Sequence, residues 1–562
     1  MGTANVVRGF LARHVPMVGW IRHYRWDSWL TADLIAGVSV AALLIPESLG
    51  YAGVAGLPPE VGLYAAPLAL LGYAIFGRST VLVVATSSST AAISASVIAE
   101  LNADGGAGSA VRLAAALALF TGVILLAVGI VRLGWVANFM SKTVIEGFII
   151  GLSISIIIGQ LDGLLGIEVE GENSFERLWD VLGQIAHWDT ATVIVGGVSL
   201  ALLFGLERFV RKLPAALTVV VLAVLYIRLA DPSGVAIVGE IPQGLPTFGM
   251  PDFSAAEIAG LVAGGLAVAL VGFSEGYGAA SSFARRHGDR LDNDQEFIAL
   301  GVSNIGAGLT NGMVVGGSLS KTAAGDAAKA KSQISNAVNA ALVVLTLLFL
   351  APFFEDLPET TLAAIVIHAL WHSANPRKLA PIRKVVRAEF WLAVLVLVAV
   401  LALDTLPAIA LGVVISLLAV IYRVTFPATD ELRRDPTSGA LVSAEFNEDS
   451  EQIEGLVVYR FDAPLIYANA STFGAAAGAL VDSAQPPASV LVVDCEEMFG
   501  IDYTGVEAIA GLIEDMRERD VDVRLARVHR AVRERLDRGG VIASLGEDHV
   551  FRRVEDAVAA GA

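Results

Sequence analysis

One short pattern occurs twice in this chain of 562 residues and limits what the chain can fold into. Residues 81–92, VLVVATSSSTAA, and residues 312–324, GMVVGGSLSKTAA, each pass from an apolar, β-branched run into small hydroxyl residues that open a helix. In a membrane, such non-helical backbone persists only where protein buries it or water lines it. The pattern therefore predicts two broken membrane segments and a binding site near the membrane midplane.

The composition supports a membrane location. Hydrophobic residues make up 55% of the chain and charged residues 17%, which favours a polytopic helical membrane protein with a soluble domain attached. We count fourteen hydrophobic segments, several of them shorter than the roughly 20 residues of a full span. Numbered 1 to 14, they are 31–56, 60–77, 80–99, 111–131, 138–160, 190–209, 213–230, 256–284, 295–311, 317–331, 335–353, 357–373, 388–404 and 405–424.

Lys and Arg residues fall in every second connection between these segments. The other connections, such as 168–180, are acidic. Because cytoplasmic loops carry the excess of Lys and Arg, we expect both termini, including the segment 1–30, on the cytoplasmic side of the inner membrane. No nucleic-acid partner is expected; the net charge of -18 would exclude one if it were evenly spread, but the charge is uneven along the chain. The positive connections contain Arg78, Arg132, Lys142, Arg208, Arg211, Lys212, Arg285, Arg286, Arg290, Lys329, Lys331, residues 377–387 and Arg423.

Two acids accompany the two breaks. Glu47 follows Pro46 in segment 1 and Glu275 lies in segment 8, each preceding its break by nearly the same distance. The similarity predicts a 7+7 inverted repeat, the architecture of secondary transporters, although small residues that let helices pack closely are an alternative explanation. A carboxylate within a span is costly, so both acids are functional candidates, or else buried acids held protonated or capped by backbone amides.

The two half-helix starts predict an anion site, because their unpaired N–H groups and positive dipole ends face one another. Hydroxyl donors and the charge of Lys321 are expected to make the field positive. We expect Ser320 and Lys321 to contact the anion, and Lys321→Ala to weaken affinity while leaving the fold intact. No metal site or cofactor is expected, since Cys495 is the only cysteine and the pair His368 and His372 lacks a third ligand.

The chain changes character after the last segment. Residues 428–451, rich in charge and turn residues, are predicted to be a linker. Residues 452–562 predict a compact α/β domain, with strands at GLVVYRF and SVLVVDC and helices at 471–482, 504–518 and 528–537.

These residues resemble a known family. The stretches DLIAGVSVAALLIPESLGYAGVAGLPPEVGLY, EFIALGVSNIGAG, GGSLSKTAAGDAAKAKSQISN and LPETTLAAIVIHAL look like motifs of the SulP sulfate permease family of anion transporters. Across 31–427 the resemblance implies a core of segments 1–4 and 8–11 that moves against a gate of segments 5–7 and 12–14. It implies that the anion lies between the starts of segments 3 and 10, near Glu47, Tyr51, Thr86, Ser87, Glu275, Leu319, Ser320 and Lys321.

The sequence departs from the family pattern at three places. Glu47 stands where glutamine is usual, ATSSST replaces a glycine-proline opening, and Lys321 stands where arginine is frequent. Lysine keeps the charge but loses planar bidentate recognition of an oxyanion. A second carboxylate beside the site disfavours an anion unless that carboxylate is protonated.

The tail resembles the STAS domain that ends SulP transporters, with IDYTGVEAI at its central loop. Thr504 stands where related anti-sigma antagonists carry a phosphorylatable serine, although a plain helix N-cap already accounts for a threonine at this position and is the favoured explanation. The resemblance also implies a homodimer within membrane lipid.

The function expected is secondary active transport of a small anion (sulfate, bicarbonate or a dicarboxylate), with alternating access and no enzymatic activity. Glu275 is expected to couple transport to protons, because family members that use sodium have a hydroxyl residue where this chain has Ala279. The alternatives are a sodium-coupled bicarbonate transporter and an anion-sensing receptor that signals through the STAS domain.

Overall fold

The computed structural model describes residues 15–102, 106–135, 141–210, 213–230, 232, 234–403 and 405–560. Of the predicted positive connections, Arg211 and Lys212 lie outside the described residues. The chain divides into two compact units, Met1–Ser416 and Leu417–Ala562. The division falls inside predicted segment 14, before the boundary at 427 that the sequence indicated.

Each of the fourteen predicted segments coincides with a helix in the described part of the chain. Eight helical stretches there are long and apolar enough to cross a membrane unaided, and the others are shorter. The helices are α1 Trp26–Val54, α2 Pro59–Phe76, α3 Ser88–Leu101, α4 Ala107–Val131, α5 Lys142–Gly159, α6 Thr190–Phe209, α7 Ala215–Ala230, α8 Ile258–His287, α9 Asn293–Leu309, α10 Leu319–Ala327, α11 Ile334–Leu345, α12 Glu359–Trp371, α13 Arg387–Ala402 and α14 Thr405–Thr425.

Short helical elements connect or extend these helices. α11 continues through a π-helical turn, Thr346–Leu350. Shorter α-helices lie at Met17–Trp20, Leu161–Leu165, Ser174–Gly183 and Ala380–Val385, and 3-10 turns lie at Ile21–His23, Ile185–His187, Ala351–Phe353 and Pro376–Leu379.

Both predicted breaks are strand-to-helix transitions, and they meet. Strands β1 (Val83–Ala85) and β2 (Gly316–Ser318) pair antiparallel, with Val84 opposite Gly317. Buried side chains satisfy the backbone around them. The Asn304 amide receives a hydrogen bond from Val315 N at 3.0 Å, and Asn336 Nδ2 donates to Leu82 O at 2.7 Å. These bonds supply the partners that non-helical backbone needs where water is absent.

Two groups of helices pack together in the membrane unit. In the first group, α9 packs against α2 and α4, α11 packs against α1 and α2, and α8 packs against α3 and α4. Small residues permit the closest approach, because a Cβ added to Gly122 or Gly301 would lie within 3 Å of the facing helix. In the second group, α5 packs against α13 and α6 against α12.

The second unit is built on a six-stranded sheet. Its order is β4-β3-β5-β6-β7-β8, in which β5 to β8 are parallel and β3 and β4 form an antiparallel edge. The strands are β3 Thr429–Arg434, β4 Leu441–Ser443, β5 Leu456–Phe461, β6 Val490–Asp494, β7 Asp522–Ala526 and β8 Val550–Phe551. The helices are α15 Ala470–Ser483, α16 Tyr503–Glu518, α17 Arg530–Arg538, α18 Val541–Leu545 and α19 Val554–Ala559.

The predicted linker is wrong in one respect, since residues 428–451 contain β3 and β4. Leu432 of β3 is buried in an apolar cluster with Leu456 and Val458 of β5. The charged composition of this segment reflects an edge position, where alternate side chains face solvent. The segment is therefore part of the folded domain.

We expect an isolated fragment 427–562 to be more stable than a fragment 452–562 by about 2 kcal/mol or more, because the shorter fragment exposes the surface that Leu432 covers. Urea unfolding of the two fragments measures the difference. Within the longer fragment, Leu432→Ala should reproduce most of the loss, whereas Phe446→Ala, at a side chain that is 87% exposed, should have little effect. Equal midpoints for the two fragments would show that the segment is a linker after all.

Thr504 is not the N-cap of α16. The cap is Asp502, whose carboxylate accepts hydrogen bonds from Gly505 N at 2.8 Å and from Tyr467 N at 2.8 Å. Aspartate is as good an N-cap as threonine, and a local sequence pattern does not choose between two candidates that are two residues apart. Thr504 is partly exposed in the first turn of α16.

Candidate functional site

A buried ion pair lies beside the paired strands β1 and β2. Lys321, in the first turn of α10, places Nζ 2.6 Å from Glu47 Oε2 of α1, and the side chains are 1% and 2% exposed. Proline 46 is accommodated inside α1, so the helix continues past Glu47 to Val54. A lysine and a carboxylate stay charged in an apolar interior only when they are paired. Each residue therefore accounts for the burial of the other.

Other predicted site residues surround the same ammonium group. Lys321 Nζ donates to the carbonyl oxygen of Thr86 at 3.1 Å and lies 5.0 Å from the centre of the Tyr51 ring. The Thr86 hydroxyl donates in turn to Ser48 Oγ at 2.9 Å. The structure thus brings Glu47, Tyr51, Thr86 and Lys321 together. The prediction that Lys321 supplies a full positive charge to the site is wrong, because the charge of Glu47 compensates it.

The start of α3 carries a second hydrogen-bond network. Ser87 is the N-cap, accepting from Thr90 N, and its hydroxyl lies 3.1 Å from Ser89 Oγ. Ser89 donates a short hydrogen bond to Glu275 of α8, which is partly buried. Sequence reasoning missed Ser89 as the partner of Glu275, because three consecutive serines open this helix and only the packing of α8 selects one of them.

The start of α10 is more open. Ser318 is the N-cap, accepting from Lys321 N at 3.4 Å, and Ser318 Oγ lies 3.2 Å from Ser320 Oγ. Ser320 is exposed and the side chain of Leu319 is 58% exposed, whereas Lys321 points into the protein. Of the residues predicted at this half-helix, Leu319 and Ser320 are accessible to a ligand and Lys321 is enclosed.

Glycines let α8 pack directly against the paired strands β1 and β2. A Cβ added to Gly317 of β2 would lie 2.4 Å from Gly276 Cα, so the two backbones touch. This contact places the neighbouring Glu275 beside the paired strands. A side chain at Gly317 would force α8 away from β2.

Gly317→Ala is expected to lower the free energy of unfolding of the membrane unit by about 1–3 kcal/mol, because the methyl group would overlap backbone that has no room to move. Gly278→Ala is the matched control on α8, where a Cβ meets nothing within 4 Å. Thermal unfolding of the detergent-solubilised variants gives both values. A Gly317→Ala protein as stable as the control would contradict the close contact.

A cavity of about 1210 Å³ approaches this region from the end of α1 that finishes at Val54. It lies between α1 and α3 on one side and α5 and α12 on the other, and its walls include Gly50 and Ala92. Carboxylates are frequent in its lining, which includes Asp162, Glu168, Glu172, Asp189 and Glu359.

The two histidines of predicted segment 12 have different surroundings. His368 Nε2 lies 2.8 Å from a carboxylate oxygen of Glu207, and His372 is exposed. Within the described ranges, no group of three or more His, Cys, Asp or Glu side chains is arranged to hold a metal ion.

Comparison with known proteins places the chain in a family. The profile of the sulfate permease family matches residues 30–396, more than half of the chain, and that of the STAS domain matches residues 448–557. The chain belongs to the sulfate permease family. This membership and the C-terminal STAS domain confirm the resemblance that the motifs indicated.

Similar members of the sulfate permease family align along nearly the whole chain. A protein of Mycobacterium tuberculosis named as a probable sulfate transporter is 34% identical over 551 residues, covering 97% of each chain. Sulfate transporter 4.1 of Arabidopsis thaliana, a chloroplastic protein, is 28% identical, covering 97% of this chain and 82% of its own length.

Solved structures share the fold of this sulfate permease family member. The murine Slc26a9 anion transporter in its inward-facing state matches with a TM-score of 0.90 at 24% identity, over 98% of this chain and 94% of that one. The transmembrane domain of BicA, a cyanobacterium bicarbonate transporter, matches with a TM-score of 0.59 at 20% identity, over 71% of this chain and 98% of its own. The fold is that of a helical membrane transporter with a STAS domain.

Proposed function

We propose that this protein is a secondary active transporter that moves a small anion across the inner membrane by alternating access. One observation carries the proposal: the paired strands β1 and β2 bring the starts of α3 and α10 together inside an apolar unit. Helix starts of this kind bind anions through free N–H groups and the positive end of the dipole. Membership of the sulfate permease family supports it, as do relatives named as sulfate transporters.

The proposed substrate site lies at these two helix starts. Exposed Ser320 and Leu319 offer direct contact with the anion, Ser87 and Thr86 line the other helix start, and Lys321, Glu47 and Tyr51 form the buried wall behind it. We assign proton coupling to Glu275, which Ser89 holds beside the site.

The packing of the helices supports a 7+7 inverted repeat with fourteen crossings. Several of the strongest contacts recur when seven is added to both helix numbers, with numbers above fourteen reduced by fourteen. The contact of α4 with α9 corresponds to that of α11 with α2, α1 with α11 corresponds to α8 with α4, and α5 with α13 corresponds to α12 with α6. Contacts that repeat with the two halves of the chain exchanged are expected of two interlocked copies, the arrangement typical of secondary transporters.

We assign the two groups of helices to moving parts. The group α1–α4 with α8–α11 would be the core that carries the site, and α5–α7 with α12–α14 would be the gate. The cavity that lies between α1 and α3 of one group and α5 and α12 of the other supports this division. We further propose cytoplasmic termini and STAS domain, and a homodimer in the membrane.

Uptake into proteoliposomes tests the proposed function. The purified full-length protein should accumulate at least one of labelled sulfate, bicarbonate and succinate when a pH gradient is imposed without sodium. Thermal unfolding with the same anions reports binding separately, because a ligand of the folded state raises the melting temperature. Binding without uptake would identify a sensor, and uptake that requires sodium would identify the sodium-coupled alternative.

A further inference from the structure

The Glu47–Lys321 pair determines how much charge the proposed site presents to a ligand. The Lys321 ammonium has the Glu47 carboxylate at 2.6 Å, the Thr86 carbonyl oxygen at 3.1 Å and the face of the Tyr51 ring at 5.0 Å. These partners enclose it, and the pair has no net charge. Lys321 therefore does not offer a bound anion the full positive charge of an unpaired lysine.

The positive potential that remains comes from the two helix starts. α3 has 14 residues and α10 has nine, and each is capped by a serine that satisfies only one of its first N–H groups. A helix start is equivalent to about +0.5 of an elementary charge, so the two together offset about one negative charge. Glu275 adds no positive charge in either of its protonation states.

We propose that this site selects a monovalent anion over a divalent one, and that Glu47 is the residue that determines this preference. The proposal rests on the proposed function, since it concerns the same site. A monoanion such as bicarbonate or a monocarboxylate matches the potential of the two helix starts. The second charge of a dianion would be desolvated there without a positive partner.

Pairs of anions that share a core and differ by one charge and one ester methyl group test the proposal: sulfate with methyl sulfate, and succinate with monomethyl succinate. Dissociation constants of the detergent-solubilised full-length protein are measured by competition and by thermal shift. The parent should bind each monoanion at least tenfold more tightly than its divalent counterpart. In Glu47→Gln the ratio should move toward the dianion on the order of a hundredfold, the effect of one unit charge about 5 Å away at an effective dielectric constant of about 20.

Two further proteins separate charge from packing. Glu296→Gln removes another buried carboxylate, which accepts from Tyr73 at 2.6 Å and from Arg78 N at 2.9 Å, and it should leave the charge preference unchanged. The double variant Glu47→Gln with Lys321→Met again has no net charge at the pair, so the preference for monoanions should return. If Glu47→Gln alone does not fold, the double variant still tests whether the preference for monoanions follows the net charge of the pair.

The outcomes distinguish this inference from the proposed function. A parent protein that binds sulfate more tightly than methyl sulfate overturns the inference and leaves anion transport standing, as does a double variant that prefers dianions. An unchanged ratio in folded Glu47→Gln overturns the role of Glu47. A folded parent that binds none of the four anions overturns the proposed function and the inference with it.

Discussion

Lys321→Met is expected to lower the free energy of unfolding of the membrane unit by about 3–5 kcal/mol, because it leaves the Glu47 carboxylate buried without its partner. The sequence alone predicted that replacing Lys321 would leave the fold intact. That expectation assumed a lysine that faces the ligand. The side chain is instead enclosed, and its removal affects stability before it affects binding.

The double-mutant cycle with Glu47 measures this interaction. Glu47→Gln combined with Lys321→Met should be close to the parent in stability, since replacing both members of a buried pair by neutral groups of similar size is often tolerated. Lys331→Met is the matched control, because that lysine is exposed, and its cost should lie within about 0.5 kcal/mol. Additive losses in the double variant would show that the two residues do not interact. Thermal unfolding in detergent, with each variant prepared in parallel, provides the values.

Glu275→Gln should abolish accumulation of the anion under an imposed pH gradient, while exchange of anion across the membrane continues. The glutamine keeps the shape of the side chain and can still accept the hydrogen bond from Ser89, but it cannot bind and release a proton. If proton and anion binding are linked, their mutual effect is lost in this variant. The measurement is uptake into sodium-free liposomes, with and without a pH gradient.

Glu100→Gln is the control for this experiment. Glu100 is an exposed carboxylate near the other end of α3 from Ser89, so its removal should leave proton-driven accumulation unchanged. A Glu275→Gln protein that still concentrates the anion would remove Glu275 from the coupling step. Sodium-dependent uptake that ignores the pH gradient would favour the competing ion. Ser89 gives this alternative some chemical basis, since it brings a hydroxyl oxygen to Glu275 that Ala279 does not supply.

The sequence by itself determined the elements of this protein and their kind. Apolar segments of the right length predicted the helices, and β-branched runs that end in serines predicted the two strand-to-helix breaks. These are local properties, because helix periodicity, strand preference and capping depend on residues a few positions apart. The family motifs extended the prediction to a transporter with a STAS domain.

Only the tertiary structure decided which side chains became partners. Glu47 and Lys321 lie on separate helices, and Ser89 and Glu275 likewise meet only through packing. The same holds for β3. Its charged sequence predicts a linker, and only its pairing with β5 shows that it is a strand. The physical reason is that a buried charge must find a partner, but the choice among candidates depends on distances that exist only after the helices and strands have packed.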